Sequence, residues 1–346
     1  MRVIHAVRSD GFAGVERHVC VLAAAQVARG HDVTVIGGDE RRMAAAIGSA
    51  DVTVLPGNTV ASVALALSRT SPGADLIHAH MTAAELAAAV AALRPGPNLP
   101  LISTRHFAAR RGRTRLGRLA GRFIESRLAA QIAISQYVAD HIEGGSEVVY
   151  PGVMDNPGSE RPRSWTVLVV QRLEPEKRTD VALSAFAASK LADAGWRLQV
   201  VGDGSQREAL QEQAARSGIA PAVDFLGSRD DVAAQMTAAG LLIAPCPIEG
   251  LGLVVLEAMA AALPVVATAA GGHLETLPPE AHDLCFEPDD VGAAATSLRL
   301  LAGDAGLRAH LGRLGHERQR EKFTPQVQAE ATDRVYRSVL VGSPAD

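Results

Sequence analysis

The stretch Ile248–Ala260, IEGLGLVVLEAMA, places two glutamates, Glu249 and Glu257, eight residues apart. Between them lie a glycine-rich turn, Gly250-Leu251-Gly252, and an apolar helical start at Leu253 and Val254. The run Leu241–Ala244 just upstream reads as a strand, so the turn sits where a strand hands over to a helix. Glycines let other groups approach the backbone closely, and the first amides of a helix have no acceptor within it. Such amides bind phosphate or sugar oxygens. A carboxylate accepts two hydrogen bonds from adjacent hydroxyls, as a ribose diol offers. The stretch therefore suits a ligand carrying both phosphates and hydroxyls, a nucleotide sugar for example. The plainer alternative is a surface loop and helix with solvated glutamates.

Outward from this stretch, strands and helices alternate. Downstream of a proline- and glycine-bearing linker, Pro151–Arg163, strands are expected at Thr166–Val170, Arg197–Gly202, Val223–Leu226, Leu241–Ala244 and Val265–Ala267. Helices at Asp180–Lys190, Gln206–Ser217 and Leu253–Ala262 separate several of them. Upstream, strands are expected at Arg2–Val7, Asp32–Gly37, Asp51–Leu55, Leu76–Ala79, Leu99–Ser103, Gln131–Ile134 and Glu147–Val149, with a helix at Val15–Arg29. This order predicts an α/β fold with mostly parallel sheets covered on both faces. The length, 346 residues, exceeds one usual domain. The expected division is 1–155, 156–325 and a helical tail, 326–346, that can return to the first domain. Two Rossmann-like domains facing across a cleft would bind ligand at their carboxyl strand ends.

Bulk properties exclude several classes. A net charge of −4 gives no general case for nucleic-acid binding. The three cysteines, Cys20, Cys246 and Cys285, form no CxxC pair and fit reduced core residues. No secretory signal follows Met1, and no apolar run reaches the roughly 18 residues of a membrane span. A cytoplasmic protein is expected, with association to a membrane surface left open.

Further candidates follow predicted strands. Arg172 and Lys177 lie in QRLEPEKRTD. A guanidinium fork and an ammonium together can clamp a diphosphate and offset charge on a leaving group. Glu174 and Glu176 offer the bland alternative of local ion pairs. Gly202 and Gly204, in VGDG, suggest a tight turn, and Gly227, Ser228 and Arg229 end another strand. Gly11 and Gly14, in SDGFAGVERHV, flank a turn into a helix, yet neither a GK[ST] P-loop nor a GxGxxG fingerprint is present. His78 and His80 share one side of a strand end, but no third ligand of known proximity is visible, so no metal is expected. His106 follows the next strand. Arg105–Arg127 carries eight arginines and one carboxylate, Glu125. It could be a basic helix facing anionic lipid or a phosphorylated acceptor. Its default reading is a solvated face, with Phe107, Leu116, Leu119, Phe123, Ile124 and Leu128 packed in the core.

The segments QRLEPEK, VVGDG, FLGSRDDV, EGLGLVVLEAMA, LPVVAT and Gly271-Gly272, in this order, resemble the retaining glycosyltransferases of family 4, which have the GT-B fold. The resemblance spans nearly the whole chain and is strongest from Val167 to Gly272. It implies that Arg172 and Lys177 bind the donor diphosphate, Glu249 the hydroxyls of the transferred sugar, and Glu257 the ribose. The amides of Gly250, Leu251, Gly252, Leu253 and Val254 would face sugar and phosphates, with Gly202 and Gly204 also on the donor side. Gly227–Arg229 would border the base. The loop at Gly11 and Gly14 would close on the donor, though many members have adjacent glycines where this chain has Gly11-Phe12-Ala13-Gly14. His106 would lie beside the reacting sugar, with His80 and Arg105 toward the acceptor. The implied reaction moves a hexose or related sugar from a nucleoside-diphosphate sugar to an acceptor hydroxyl with retention, without metal or cofactor beyond that co-substrate. The acceptor is a small molecule or lipid-linked, and 105–127 could touch a membrane. Two alternatives stand beside this: a nucleotide-sugar epimerase of similar fold, which needs no acceptor, and a non-catalytic sugar-nucleotide-binding protein.

Overall fold

The computed structural model describes residues 1–93, 97, 99–112, 114–156 and 162–342. Positions 157–161 of the expected linker, position 113 of the arginine-rich stretch and positions 343–346 of the tail lie outside the described residues. The chain divides into two compact units: Met1–Gly152 together with the chain from Thr324 onward, and Val153–Phe323.

The first unit runs β1 (Arg2–Val7), α1 (Gly14–Ala28), β2 (Asp32–Ile36), α2 (Glu40–Ile47), β3 (Val52–Leu55), α3 (Val60–Thr70), β4 (Leu76–His80), α4 (Thr82–Ala91), β5 (Leu101–Arg105), α5 (Arg115–Glu125), β6 (Leu128–Ala133), α6 (Gln136–His141) and β7 (Glu147–Val148). Its sheet has the order β3-β2-β1-β4-β5-β6-β7, and every pair is parallel. All residues of β4 and β5 are buried, as a parallel sheet covered on both faces requires. Alanines do much of the covering: Ala84, Ala87 and Ala88 of α4 pack with Val63, Ala64 and Leu67 of α3.

The second unit runs β8 (Thr166–Val170), α7 (Thr179–Ser189), β9 (Arg197–Val201), α8 (Arg207–Arg216), β10 (Val223–Gly227), α9 (Val232–Ala238), β11 (Leu241–Ala244), α10 (Leu253–Ala260), β12 (Val265–Ala267), α11 (His273–Thr276), α12 (Val291–Gly303) and α13 (Ala305–Lys322). Its parallel sheet has the order β10-β9-β8-β11-β12.

The last helix, α14 (Pro325–Gly342), belongs to the first unit. Val335 and Tyr336 enter a core with Val3, Leu76 and Ile102. Asp333 accepts from the Arg29 guanidinium at 2.9 Å and lies 3.2 Å from His31 Nε2. The Gly152 amide donates to Gln328 Oε1 at 2.8 Å.

The arginine-rich stretch departs from its expected form. Among the described residues of the stretch only Arg115–Glu125 is helical, because the Thr114 hydroxyl caps the helix by accepting from the Gly117 amide. Arg105 ends β5, and Leu128 opens β6 rather than extending the helix. Ile124 is buried, but Leu116 is 77% and Leu119 61% exposed. The expected core face is thus only partly covered. Two of the arginines meanwhile turn inward. Arg111 pairs with Glu85 at 2.6 Å, both side chains being inaccessible to solvent, and with Glu143 at 2.8 Å. The Ser103 hydroxyl donates to Glu85, and Arg105 joins through Glu143 at 3.0 Å. Burial works against the Arg111 charge, yet Glu85 and Glu143 overcome it and hold the guanidinium pKa above its usual range.

Removing one partner of this network leaves a buried charge without compensation. Arg111→Met is expected to lower the unfolding free energy by about 3–5 kcal/mol in urea titrations. Arg118→Met, at an exposed position of α5, should stay within about 0.5 kcal/mol.

Candidate functional site

In a doubly wound sheet, ligands bind beyond the carboxyl ends of the strands where the strand order reverses. That point falls between β8 and β11 in the second unit and between β1 and β4 in the first. The candidate residues follow these strands or their neighbours.

In the second unit, the loop after β8 carries Arg172 and Lys177. Lys177 ends a single 3-10 turn, Pro175–Lys177, whose last carbonyl accepts from the Gln171 side-chain amide at 2.9 Å. Lys177 Nζ donates to Glu249 Oε2 at 2.6 Å, joining the β8 loop to the β11 loop. Both side chains remain partly accessible, at 20% and 29%. Burial would raise the Glu249 pKa, but Lys177 outweighs it, and the carboxylate sits below its usual range. Burial would likewise lower the Lys177 pKa, and Glu249 keeps it raised. The pair is therefore ionised at neutral pH. Arg172 is exposed and pairs locally with Glu176 at 3.0 Å. Glu174 instead accepts from the Ser205 hydroxyl at 2.6 Å.

The loops after β8 and β9 are laced together. Leu173 N–H donates to the Asp203 carbonyl, and Gln206 N–H returns to the Leu173 carbonyl, both at 2.9 Å. Gly202 takes φ +131°, and a Cβ there would stand 1.9 Å from the Gln171 carbonyl oxygen, so no side chain fits. Gly204 lies against the Leu173 carbonyl in the same way. Gly227 ends β10 and bonds across to Gly202. Ser228 and Arg229 beyond it are exposed, with the Arg229 fork held by Asp231 at 2.7 Å.

Beyond Glu249 the chain turns through Gly250 and Leu251 to Gly252, which is left-handed at the N-cap of α10. No side chain caps this helix, and its first main-chain bond runs from the Leu256 amide to the Gly252 carbonyl. The amides of Leu253, Val254 and Val255 thus have no acceptor within the helix. Leu253, Val254 and Glu257 are half-buried on the one face of α10 that the core does not cover. His273 lies under this turn and was not foreseen. A Cβ on Gly252 would meet its Cδ2 at 2.9 Å. The Thr268 hydroxyl donates to the Cys246 carbonyl, so its oxygen accepts from His273 Nδ1–H at 3.0 Å. Burial lowers the His273 pKa, leaving a neutral ring. Its one sequence signal was its place directly after Gly271-Gly272. The Gly272 amide donates to the Glu249 carbonyl at 2.9 Å, which ties the two loops.

In the first unit, the turn with Gly11 and Gly14 is held by Gly11 N–H donating to Ser9 Oγ at 3.0 Å and by the Asp39 amide donating to the Gly11 carbonyl at 2.8 Å. Five buried histidines gather beside it. The register of β1 and β4 sets His5 beside His78, and α1 adds His18. His80 Nδ1 lies 3.2 Å from His106 Nε2, and His80 Nε2 lies 3.0 Å from His5 Nδ1. His78 bonds Tyr336 Oη and Thr104 Oγ1, both at 2.6 Å. The expectation that His78 and His80 lack a third nearby ligand is corrected here. His5 joins them, and His18 and His106 form a second trio with His80, ring nitrogens within 4.8 Å. These rings bond to one another and to neighbouring side chains. Arg105, expected toward the acceptor, is only 5% exposed and engaged by Glu143 and Gln131.

A family model described as Glycosyltransferase Family 4 matches residues 12–155, and one described as Glycosyl transferases group 1 matches residues 155–318. The exopolysaccharide phosphotransferase of Streptomyces coelicolor is 34% identical over 167 residues, covering 46% of this chain and 18% of that protein. The D-inositol 3-phosphate glycosyltransferase of Salinispora tropica is 38% identical over 173 residues, covering 47% of this chain and 36% of the relative. The matches thus span well under half the length of these curated relatives. Among solved structures, Anabaena HepE in complex with UDP-glucose superposes with a TM-score of 0.81 at 20% identity, covering 98% of this chain and 100% of that one. The two family models adjoin at residue 155 and together span residues 12–318, and the solved likeness covers 98% of the chain. The chain belongs to the family 4 glycosyltransferases and has their GT-B fold.

Proposed function

We propose that this glycosyltransferase moves a hexose or related sugar from a nucleoside-diphosphate sugar to an acceptor hydroxyl with retention of anomeric configuration. The observation that carries the reading is the Lys177–Glu249 pair, set at a switch point beside the open amides of α10. The chemical task is departure of a charged diphosphate from the anomeric carbon. Lys177, Arg172 and the α10 amides supply positive potential where that charge develops. Glu249 takes hydroxyls of the sugar and Glu257 those of the ribose, with Gly227, Ser228 and Arg229 along the base. In this reading Arg172 releases Glu176, an exposed pair of little net worth, to reach the diphosphate. The leaving phosphate assists deprotonation of the acceptor on the same face, and His106 sits beside the reacting sugar. The UDP-glucose held by the Anabaena neighbour makes a UDP-sugar the first donor to try.

The same reading places the acceptor at or near a lipid surface. Arg115, Arg118 and Arg122 of α5 are exposed next to the bare side chains of Leu116 and Leu119. That mixture suits contact with anionic headgroups. No described helix is long and apolar enough to cross a membrane.

Calorimetry against a panel of nucleotide sugars is expected to show donor binding that weakens roughly tenfold or more in Lys177→Ala and in Glu257→Ala. Unchanged affinity in both would remove the donor-site assignment. His106→Ala is expected to lower transfer about a hundredfold with nucleotide affinity nearly kept. Turnover of donor without any acceptor product would point instead to an epimerase or hydrolytic activity, and binding without turnover to a non-catalytic role.

Vesicle flotation tests the surface. Binding is expected with vesicles containing phosphatidylglycerol, at low salt, and its loss in the double variant Leu116→Asp, Leu119→Asp. Equal recovery of both proteins would show that α5 does not meet lipid.

A further inference from the structure

We infer that Gln26 and Tyr336, acting through His5 and His80, fix which ring nitrogen of His106 carries its proton, and so act as positioning residues for that histidine. A hydrogen-bonded chain begins at Gln26 and ends at His106. The Gln26 side-chain amide donates to Tyr336 Oη at 3.2 Å, and its Oε1 faces His5 Nε2 at 2.7 Å. An amide oxygen only accepts, so His5 Nε2 bears the hydrogen. A neutral imidazole has one N–H, so His5 Nδ1 is an acceptor, and the nitrogen facing it at 3.0 Å, His80 Nε2, is the donor. The same step repeats: His80 Nδ1 accepts, and His106 Nε2, 3.2 Å away, donates. His106 Nδ1 is left with its lone pair and, among the described residues, no hydrogen-bond partner.

Each step requires neutral rings, and the surroundings keep them so. All five histidines of the cluster are buried. Burial brings His5 down to about 4 and His106 to about 3, and it pushes His18, His78 and His80 well below the usual range. The groups hydrogen-bonded to the chain from neighbouring elements are uncharged: Gln26 from α1, Tyr336 and Gln328 from α14, and Thr104 from β5. His31 and Asp333 act on His5 and Tyr336 only through space, and Asp333 is itself paired with Arg29. Gln328 accepts from the Gly152 amide through Oε1, so its nitrogen is the side turned to His18. Tyr336 accepts from Gln26 and donates to His78 Nδ1, which leaves His78 Nε2–H for Thr104. With this polarity every bond in the network has one donor and one acceptor. Reversing the direction at His106 would require turning the Gln26 amide and the Tyr336 hydroxyl and changing four rings together, those of His5, His80, His106 and His78.

The functional sense of the inference rests on the proposed place of His106 beside the sugar: a bare Nδ1 accepts a hydrogen bond from a hydroxyl there and cannot donate one. The test therefore has two arms. In the protein labelled with 15N-histidine, long-range proton–nitrogen correlation spectra should show Nε2–H and unprotonated Nδ1 for His5, His80 and His106. Nitrogen–nitrogen couplings should appear across the His106–His80 and His80–His5 bonds. A protonated Nδ1 on His106, or absence of both couplings, would overturn the inference. Gln26→Met removes the terminal acceptor. In the folded variant, protonation of His106 Nδ1 should rise at least tenfold, with kcat lower by roughly tenfold and the KM for donor unchanged. A folded variant with the wild-type histidine spectrum would also overturn it. If the spectra are as expected but His106→Ala transfers sugar normally, the relay stands and the assignment of His106 to the sugar fails.

Discussion

A parallel ladder obliges every strand of a sheet to end on the same edge. Each strand needs a crossover of its own, and the loops that begin those crossovers gather along that edge. In both units the strand order reverses beside the first strand, at β1/β4 and at β8/β11. Loops leaving a reversal point run to opposite faces of the sheet and open a gap between them. Residues far apart in the chain are thereby delivered to one place. Lys177 and Glu249 meet across 72 positions of sequence, and His5 meets His80 across 75. Neither juxtaposition needs a special local conformation; both follow from the sheet.

Burial separates the two kinds of ion pair in this molecule. Arg111 and Glu85 are sealed from water, and a serine hydroxyl and Glu143 complete their hydrogen bonding. Such a pair holds three segments of the first unit in register, because either charge alone inside would be costly. Lys177 and Glu249 are equally close but keep a fifth to a third of their side chains in solvent. Water there limits what the pair contributes to stability, and it leaves each partner free to exchange the other for a ligand group at modest cost.

Local order was legible in the amino-acid chain. The loops proposed to hold the donor each follow a short strand-like run, and the helix after Glu249 begins where Gly252 allows. The pairing of Arg172 with Glu176 was also readable, being a contact four residues apart. What escaped was everything that depends on distant strands being neighbours. His5 and His18 join the HAH segment only once β1 lies against β4 and α1 covers them, and Tyr336 arrives from the last helix. The expected core face of α5 differs from the observed one for a related reason. Helical spacing shows that Leu116 and Leu119 share a side, but only the packed fold shows that nothing described covers them. Arg105 and Arg111 read as surface cations until Glu85 and Glu143, from α4 and from just beyond α6, were placed beside them.

The return of α14 to the first unit makes that unit discontinuous, interrupted by the whole of the second. On a ribosome, the second unit emerges as one contiguous piece and has all of its strands before α14 leaves the exit tunnel. The seven-stranded sheet emerges earlier yet must wait, its surface at Val3, Leu76 and Ile102 uncovered until Val335 and Tyr336 are made. Nascent chains stalled before Thr324 should therefore be the aggregation-prone stage of biosynthesis, and the natural point for a chaperone to hold the protein.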